Sequence, residues 1–181
     1  TFNDLYYLRL GNTGLRPELA NEYNVGLTWN GTLLRFLDHL SLTVDGYYNE
    51  VRDKIVAFPS TYVWKMANFG EVKITGLDIN ASAGAPVTDK IRIALNGSYT
   101  YQRAIDRTDP KAKNYNQQIP YTPRHSGSGA VTFETPWANV AYTLVAVGKR
   151  YYLKQNIPVN RINGYAEHTL AVSRLFHLRS C

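Results

Sequence analysis

The sequence predicts an all-β protein, an antiparallel up-and-down meander of about seven strands of the transmembrane β-barrel kind. Three observations carry that expectation. Seven stretches read as extended, their connections alternate short and long, and apolar and polar residues alternate along several of the stretches. Short turns at one end and long loops at the other are the asymmetry of outer-membrane barrels, and period-two alternation is what strands between lipid and a polar lumen require.

The strands are expected at 18–30, 38–56, 68–83, 90–105, 123–135, 137–150 and 165–178. Short connections run from Asn30 to Leu37, from Gly84 to Asp89 and through Thr135 and Pro136; long ones span Ala57–Ala67, Ile105–Thr122 and Tyr151–Gly164. In the second strand Leu40, Leu42, Val44, Gly46 and Tyr48 oppose Ser41, Thr43, Asp45, Tyr47 and Asn49. In the third, Leu77, Ile79, Ala81 and Ala83 oppose Asp78, Asn80 and Ser82, but Val72 and Ile74 fall out of phase. That break implies a bulge near Thr75 and Gly76, or an outer half of the strand with both faces wet.

The fourth strand alternates most cleanly. Ile91, Ile93, Leu95, Gly97, Tyr99 and Tyr101 share one face, and Arg92, Ala94, Asn96, Ser98, Thr100 and Gln102 the other, so Arg92 is expected toward the lumen. In the fifth, Gly127, Gly129, Val131 and Phe133 oppose Ser126, Ser128, Thr132 and Glu134, whereas 137–148 alternates poorly. In the last, Leu170, Val172 and Phe176 would put Arg174 on the lipid side. At mid-membrane that costs about 2–4 kcal/mol, so Arg174 is expected near an interface.

Composition excludes several alternatives. A mean hydropathy of −0.32 and the lack of any long apolar run rule out a transmembrane helix but not a barrel, in which only alternate residues meet lipid. The 14 Tyr and 3 Trp suit interfacial girdles, with Tyr6/Tyr7, Tyr47/Tyr48 and Tyr151/Tyr152 expected near strand ends; tyrosine is also simply a good strand former. A net charge of +6 without clustered Lys and Arg argues against a nucleic-acid partner. The scattered cations Arg103, Arg107, Lys111, Lys113 and Arg161 suit lipopolysaccharide or an anionic ligand instead.

The single cysteine, Cys181, permits neither an internal disulfide nor a cysteine metal site. His39, His125, His168 and His177 stand at no metal-ligand spacing, and no metal or cofactor is expected. The string His125-Ser126-Gly127-Ser128-Gly129 lacks the first glycine of a nucleophile elbow, and Gly127 and Gly129 lack the third glycine of a dinucleotide fingerprint. No catalytic residue is therefore expected, and Asp45, Asp78 and Glu134 read as members of a polar network.

Three motifs sharpen the reading. Gly11, Asn12, Leu15, Pro17, Glu18, Ala20, Tyr23 and Gly26 form a pattern G-N-x-x-L-x-P-E-x-A-x-x-Y-x-x-G leading into the first strand. Asn68 and Gly70 precede Gly76, Leu77 and Asp78, and Ile119, Pro120, Thr122, Pro123, Arg124 and His125 precede the fifth strand. Each makes local sense: Pro17, Pro120 and Pro123 end loops where a missing N–H costs least, Glu18 can accept hydrogen bonds from the preceding loop, and Gly76 permits close approach between strands. In this order they resemble the C-terminal barrel half of TonB-dependent outer-membrane receptors, with Asn24 where the family has an acidic residue and Asp78 where it has Glu.

The resemblance implies a fragment of a single barrel of about 22 strands, with the plug, the TonB box and the last strand outside this sequence. It implies energised uptake of a scarce nutrient, such as a ferric siderophore, cobalamin or haem, through an outer-membrane protein that partners TonB. Lipid, lipopolysaccharide and a small-molecule or metal-chelate substrate are the other partners. The long loops would catch substrate with Phe58, Tyr62 and Trp64, with Arg103, Arg107 and Tyr115, and with Tyr151, Tyr152, Lys154 and Arg161, since aromatic faces stack on ligand rings and cations match anionic groups. A passive porin or adhesin shares the alternation, and a soluble ligand-binding barrel would turn its apolar face inward.

Overall fold

The computed structural model of the protein describes residues 12–32, 37–59 and 64–174. Gly11, Tyr6/Tyr7, Tyr62, Phe176, His177 and Cys181 lie outside these residues, as does the side chain of Phe58. Among the described residues nine strands follow in order: β1 (Leu19–Gly31), β2 (His39–Pro59), β3 (Trp64–Thr88), β4 (Ile91–Asp106), β5 (His125–Glu134), β6 (Asn139–Val147), β7 (Arg150–Tyr151), β8 (Arg161–Ile162) and β9 (Tyr165–Ser173). One seven-stranded sheet runs β1-β2-β3-β4-β5-β6-β9, each strand antiparallel to its neighbour, and β7 pairs with β8 inside the last long connection. The sheet is an open meander, as the alternation of turns and loops predicts.

The register is staggered. Following directly paired residues from β1 gives Trp29, Leu42, Ala81, Gly97, Gly129, Leu144 and His168. Trp29 lies two residues from the turn end of β1, whereas His168 lies three residues from the loop end of β9. A row perpendicular to the strands thus drifts from one rim to the other, and closing a sheet of tilted strands into a barrel requires such a shear.

The two faces follow the alternation. Ser41, Thr43 and Asp45 share the polar face with Ser82, Asn80 and Asp78, then with Asn96, Ser98 and Thr100. Across β4 and β5 the same face pairs Ser98 with Ser128, whose hydroxyls lie 2.8 Å apart, and Arg92 with Glu134. Arg92 therefore shares the polar face, as the alternation predicts. On the opposite face Leu42, Leu95 and Phe133 lie open, and Leu95 keeps 45% of its surface exposed although strands flank it on both sides. In water such a stripe would be unfavourable at about 25 cal/mol per Å².

Several expectations need correction. The long connection Ala57–Ala67 is mostly strand: β2 and β3 pair out to Pro59 and Trp64, because that stretch carries β-forming residues. The third strand has no bulge at Thr75 and Gly76, and both stay in register with β2 and β4; the register shift in β3 falls between Pro86 and Thr88, beside the tight turn. Nor is the outer half of that strand wet on both sides. Val72 and Ile74 are buried on the polar-phase face, with Val51, Ala104 and Ile119. Ile119 comes from the long connection after β4, which folds back over the sheet. The phase break thus marks a covered patch.

Tyr47 is not a strand-end residue either. It lies inside β2 against this patch, while Tyr48 points the other way, 6.2 Å from Tyr23. The poor alternation of 137–148 arises because Val145 and Val147 share the phase of Ser128 and Ser126 near the long-loop end. Arg174 follows the last paired residue of β9, at the turn end of the sheet.

Candidate functional site

The long connections converge on the loop end of the polar-phase face. The first motif builds one side. Asn68 in β3 accepts from Arg16 N at 2.8 Å, and its side-chain amide donates to Arg16 O at 3.0 Å and Asp53 O at 2.6 Å. Asn12 donates to Met66 O at 3.0 Å, and its Oδ1 accepts from Gly14 N at 2.9 Å. Arg16 pairs with Asp53 at 2.5 Å, and Asp53 holds a positive φ of 54°, which Asp tolerates better than most residues. Glu18 accepts from Ile55 N and Lys54 Nζ, both on the neighbouring strand, so its partners are not in the preceding loop as the sequence suggested. The segment from Asn12 to Glu18, with Leu15 half-buried and Pro17 exposed, is a clasp on the β2–β3 hairpin.

Two motif glycines act through neighbouring side chains. A Cβ on Gly76 would run into the Tyr47 ring, so its absence lets that ring lie flat across β3 onto the buried patch. A Cβ on Gly26 would strike the carboxylate of Asp45, which stands opposite Asp78. Asp78 Oδ1 is buried without a hydrogen-bond partner among the described residues.

The connection after β4 is folded rather than open. Asp106, only 3% exposed, accepts from Thr108 N at 2.8 Å and from the side-chain amide of Asn114, and these bonds turn the chain. Arg107 donates to Asn116 Oδ1 at 2.6 Å and lies over the Tyr115 ring at 4.7 Å. Ile119 N bonds Ala104 O and Pro120 is buried, so the third motif tucks the loop against β4; half-buried Pro123 then leads into β5.

Two residues that sequence reasoning did not single out tie the loops together. Tyr121, at φ 58°, donates its N–H to Tyr151 O at 2.7 Å, and its ring meets Trp64 at 5.3 Å. An aromatic residue in the left-handed region is strained, and these contacts on both sides hold it there. Asn156 Oδ1 accepts from Gln118 N at 2.8 Å, its amide donates to Gln118 O at 2.9 Å, and its N–H reaches Gln117 Oε1 at 2.6 Å. The only prior signal was the abundance of amide side chains in both loops.

The expected ligand-binding residues do not form one cluster. Trp64 joins Tyr121, and Arg107 pairs with Tyr115. Tyr151 pairs with Arg161 across β7 and β8, and Tyr152 N bonds Asn160 O. Arg103 shares the phase of Tyr99 and Tyr101 on the apolar face, away from the loop junction. Depressions open on the polar-phase side among the described residues. One of about 330 Å³ crosses the sheet among Thr43, Asn80, Asn96, Ser98, Ser128 and Thr143. Another, about 340 Å³, lies where the second and third long connections meet, lined by Gln118, Thr122, Arg124, Lys149, Tyr151 and Asn156 among others.

At the turn end, Arg92 Nε donates to Asp38 Oδ2 at 2.9 Å and the Arg92 guanidinium lies 3.8 Å from Glu134, while His39 Nδ1 lies 2.9 Å from Asp38. The hydrogen bond from Arg92 holds the Asp38 carboxyl below its ordinary value. Among the described residues no group of three or more His, Cys, Asp or Glu side chains is placed to hold a metal ion.

Residues 1–175 match the family described as TonB dependent receptor-like, beta-barrel. Two curated relatives are named vitamin B12 transporter BtuB. The one from Vibrio vulnificus is 32% identical over 83 residues, 45% of this chain and 13% of that protein. The one from Photobacterium profundum is 24% identical over 186 residues, 88% of this chain and 28% of that protein. Among solved structures, the siderophore receptor PiuA from Acinetobacter baumannii superposes with a TM-score of 0.58 at 21% identity, covering 82% of this chain and 21% of that one. The chain thus spans less than a third of each of these three proteins.

Proposed function

Because the chain belongs to the TonB dependent receptor-like β-barrel family, we propose that it serves as part of an outer-membrane receptor that takes up a scarce nutrient at the expense of inner-membrane energy. The observation that carries this reading is the family match over residues 1–175, together with a sheet that has one open apolar face and one polar face. In the proposed setting Leu42, Leu95 and Phe133 meet hydrocarbon, and the serine- and asparagine-rich face lines the lumen. The unpaired edges of β1 and β9 continue into further strands of one larger barrel domain, because exposed edges would otherwise promote aggregation. The latched long connections stand at the cell exterior and the tight turns at the periplasm.

The substrate class is a small molecule or metal chelate. The two BtuB relatives favour a cobalamin, and ferric siderophores and haem are the further candidates. TonB is the proposed energy-transducing partner, and transport without covalent chemistry is the proposed mode of action. The loop junction gives substrate a preformed surface, with Trp64 packed at a tilt against Tyr121 and the other connections tied by Asn156.

The test is uptake of labelled cobalamin, ferric siderophores and haem by a strain deleted for the complete gene, with a TonB-deficient strain alongside. Loss of one uptake activity in both strains supports the reading. Undiminished uptake of every candidate, or uptake indifferent to TonB, would refute it.

A further inference from the structure

The strand ladder between β4, β5 and β6 continues past the strand ends. Gln102 N bonds Arg124 O at 2.9 Å and Gly148 N bonds His125 O at 2.8 Å, both in the register of the adjoining sheet. One step further, Lys149 stands opposite Arg124 on the phase of Gln102 and Val147. Two cations are thereby side by side on the polar-phase face, both lining the depression of about 340 Å³ at the loop junction. Among the described residues neither has a carboxylate partner. Like charges so placed repel each other unless an anion lies between them.

Gln118 supplies the second observation. It is 2% exposed and lines the same depression. Its Nε2 donates to Gln102 O and Thr122 O, each at 3.3 Å, and since carbonyl oxygens only accept, the amide orientation is fixed. Its Oε1 is left buried without a partner among the described residues, so a donor brought there would gain a bond that is costly to leave unmade. Tyr151 adds an aromatic wall, and Asn156 latches Gln118 in place.

We propose that Arg124, Lys149 and Gln118 form a binding subsite for a small ligand's carboxylate or phosphate group, with an adjacent ligand O–H or N–H donating to Gln118 Oε1. The proposal rests on the receptor reading and narrows its substrate class to ligands bearing an acidic group next to a hydrogen-bond donor; a hydroxy acid is the simplest form. The inward phase of Arg124 favours a small ligand over the phosphates of lipopolysaccharide, which would approach from the apolar face.

The test uses the complete receptor, purified in detergent, and calorimetric titration with citrate, inorganic phosphate and uncharged glycerol. Citrate should bind tighter than phosphate and glycerol should not bind. Arg124→Gln and Lys149→Gln should each weaken citrate about tenfold or more, since each removes a charge-assisted bond, and Arg124→Lys should recover part of the loss. Gln118→Glu should weaken citrate by charge repulsion. Circular dichroism and the heat-shifted gel band keep folding separate from binding. The proposal is overturned if wild type binds neither anion, if the Arg124→Gln/Lys149→Gln double variant binds citrate as wild type does, or if only lipopolysaccharide micelles respond to the double substitution. Uptake measured in the same cells separates the two readings: normal TonB-dependent uptake with unchanged citrate binding by the double variant rejects the subsite alone, whereas citrate binding lost in that variant with no TonB-dependent uptake by wild type rejects the receptor reading alone.

Discussion

Replacing Leu95 with arginine tests which solvent the apolar face meets. Leu95 lies in β4 between Ala83 and Val131, four residues from Ile91 at the turn end. At about 3.4 Å per residue that is about 14 Å along a strand, or about 10 Å of height at the tilt usual in barrels, which is close to the middle of an apolar band about 25 Å tall. Leu95→Arg should therefore cost about 2–4 kcal/mol in the complete barrel, and Ile93→Arg, nearer the rim, less than that. Asn96→Arg, one residue along and on the polar face, should cost under about 0.5 kcal/mol, as surface changes usually do. Urea unfolding from phospholipid vesicles, followed by tryptophan fluorescence, measures all three. Equal costs for Leu95→Arg and Asn96→Arg, or a stable Leu95→Arg, would mean that the face meets water, and the account of both faces would fail.

Three further outcomes are expected. Asn156→Ala removes two side-chain bonds to Gln118 and should speed amide exchange at residues 117–121 while leaving β4 and β5 unchanged, a loss of about 1–3 kcal/mol locally; unchanged exchange there would show that the loops are not latched. Gly76→Ala should destabilise by about 1–3 kcal/mol because its Cβ meets the Tyr47 ring, and Tyr47→Ala should relieve most of that in a double-mutant cycle; strictly additive effects would contradict the packing. Asp38 has a folded-state pKa below its unfolded value, so its contribution is full above the ordinary 3.8 and is lost as the pH falls through the lower folded value. The advantage of wild type over Asp38→Asn in urea midpoint should accordingly hold at neutral pH and vanish in acid, and an advantage that grows on acidification would reverse the assignment.

The strand order and the two faces were legible because alternation is local: a residue's phase along 91–102 fixes its side whatever lies beyond it. The family motifs were legible as positions but not as mechanisms. Asn68 reads in sequence as a strand residue, and only the folded hairpin shows it holding Arg16 and Asp53. Val72 and Ile74 misled because apolar residues on the polar phase suggest an irregular strand, whereas a connection about 45 residues later covers them through Ile119. Burial by a distant loop leaves no mark on local periodicity. For the same reason the loop junction was half visible: Trp64 and Tyr151 stand out as aromatics, but Tyr121, Asn156, Gln118 and Lys149 gain their roles only from which loops meet.

Site-directed spin labelling along β4 in lipid bilayers is the most direct test of the central claim. Labels at 91, 93, 95, 97 and 99 should collide with dissolved oxygen and be shielded from a water-soluble nickel reagent, and those at 92, 94, 96, 98 and 100 should show the opposite pattern. A nickel-accessible odd series, or two series that do not differ, would contradict it.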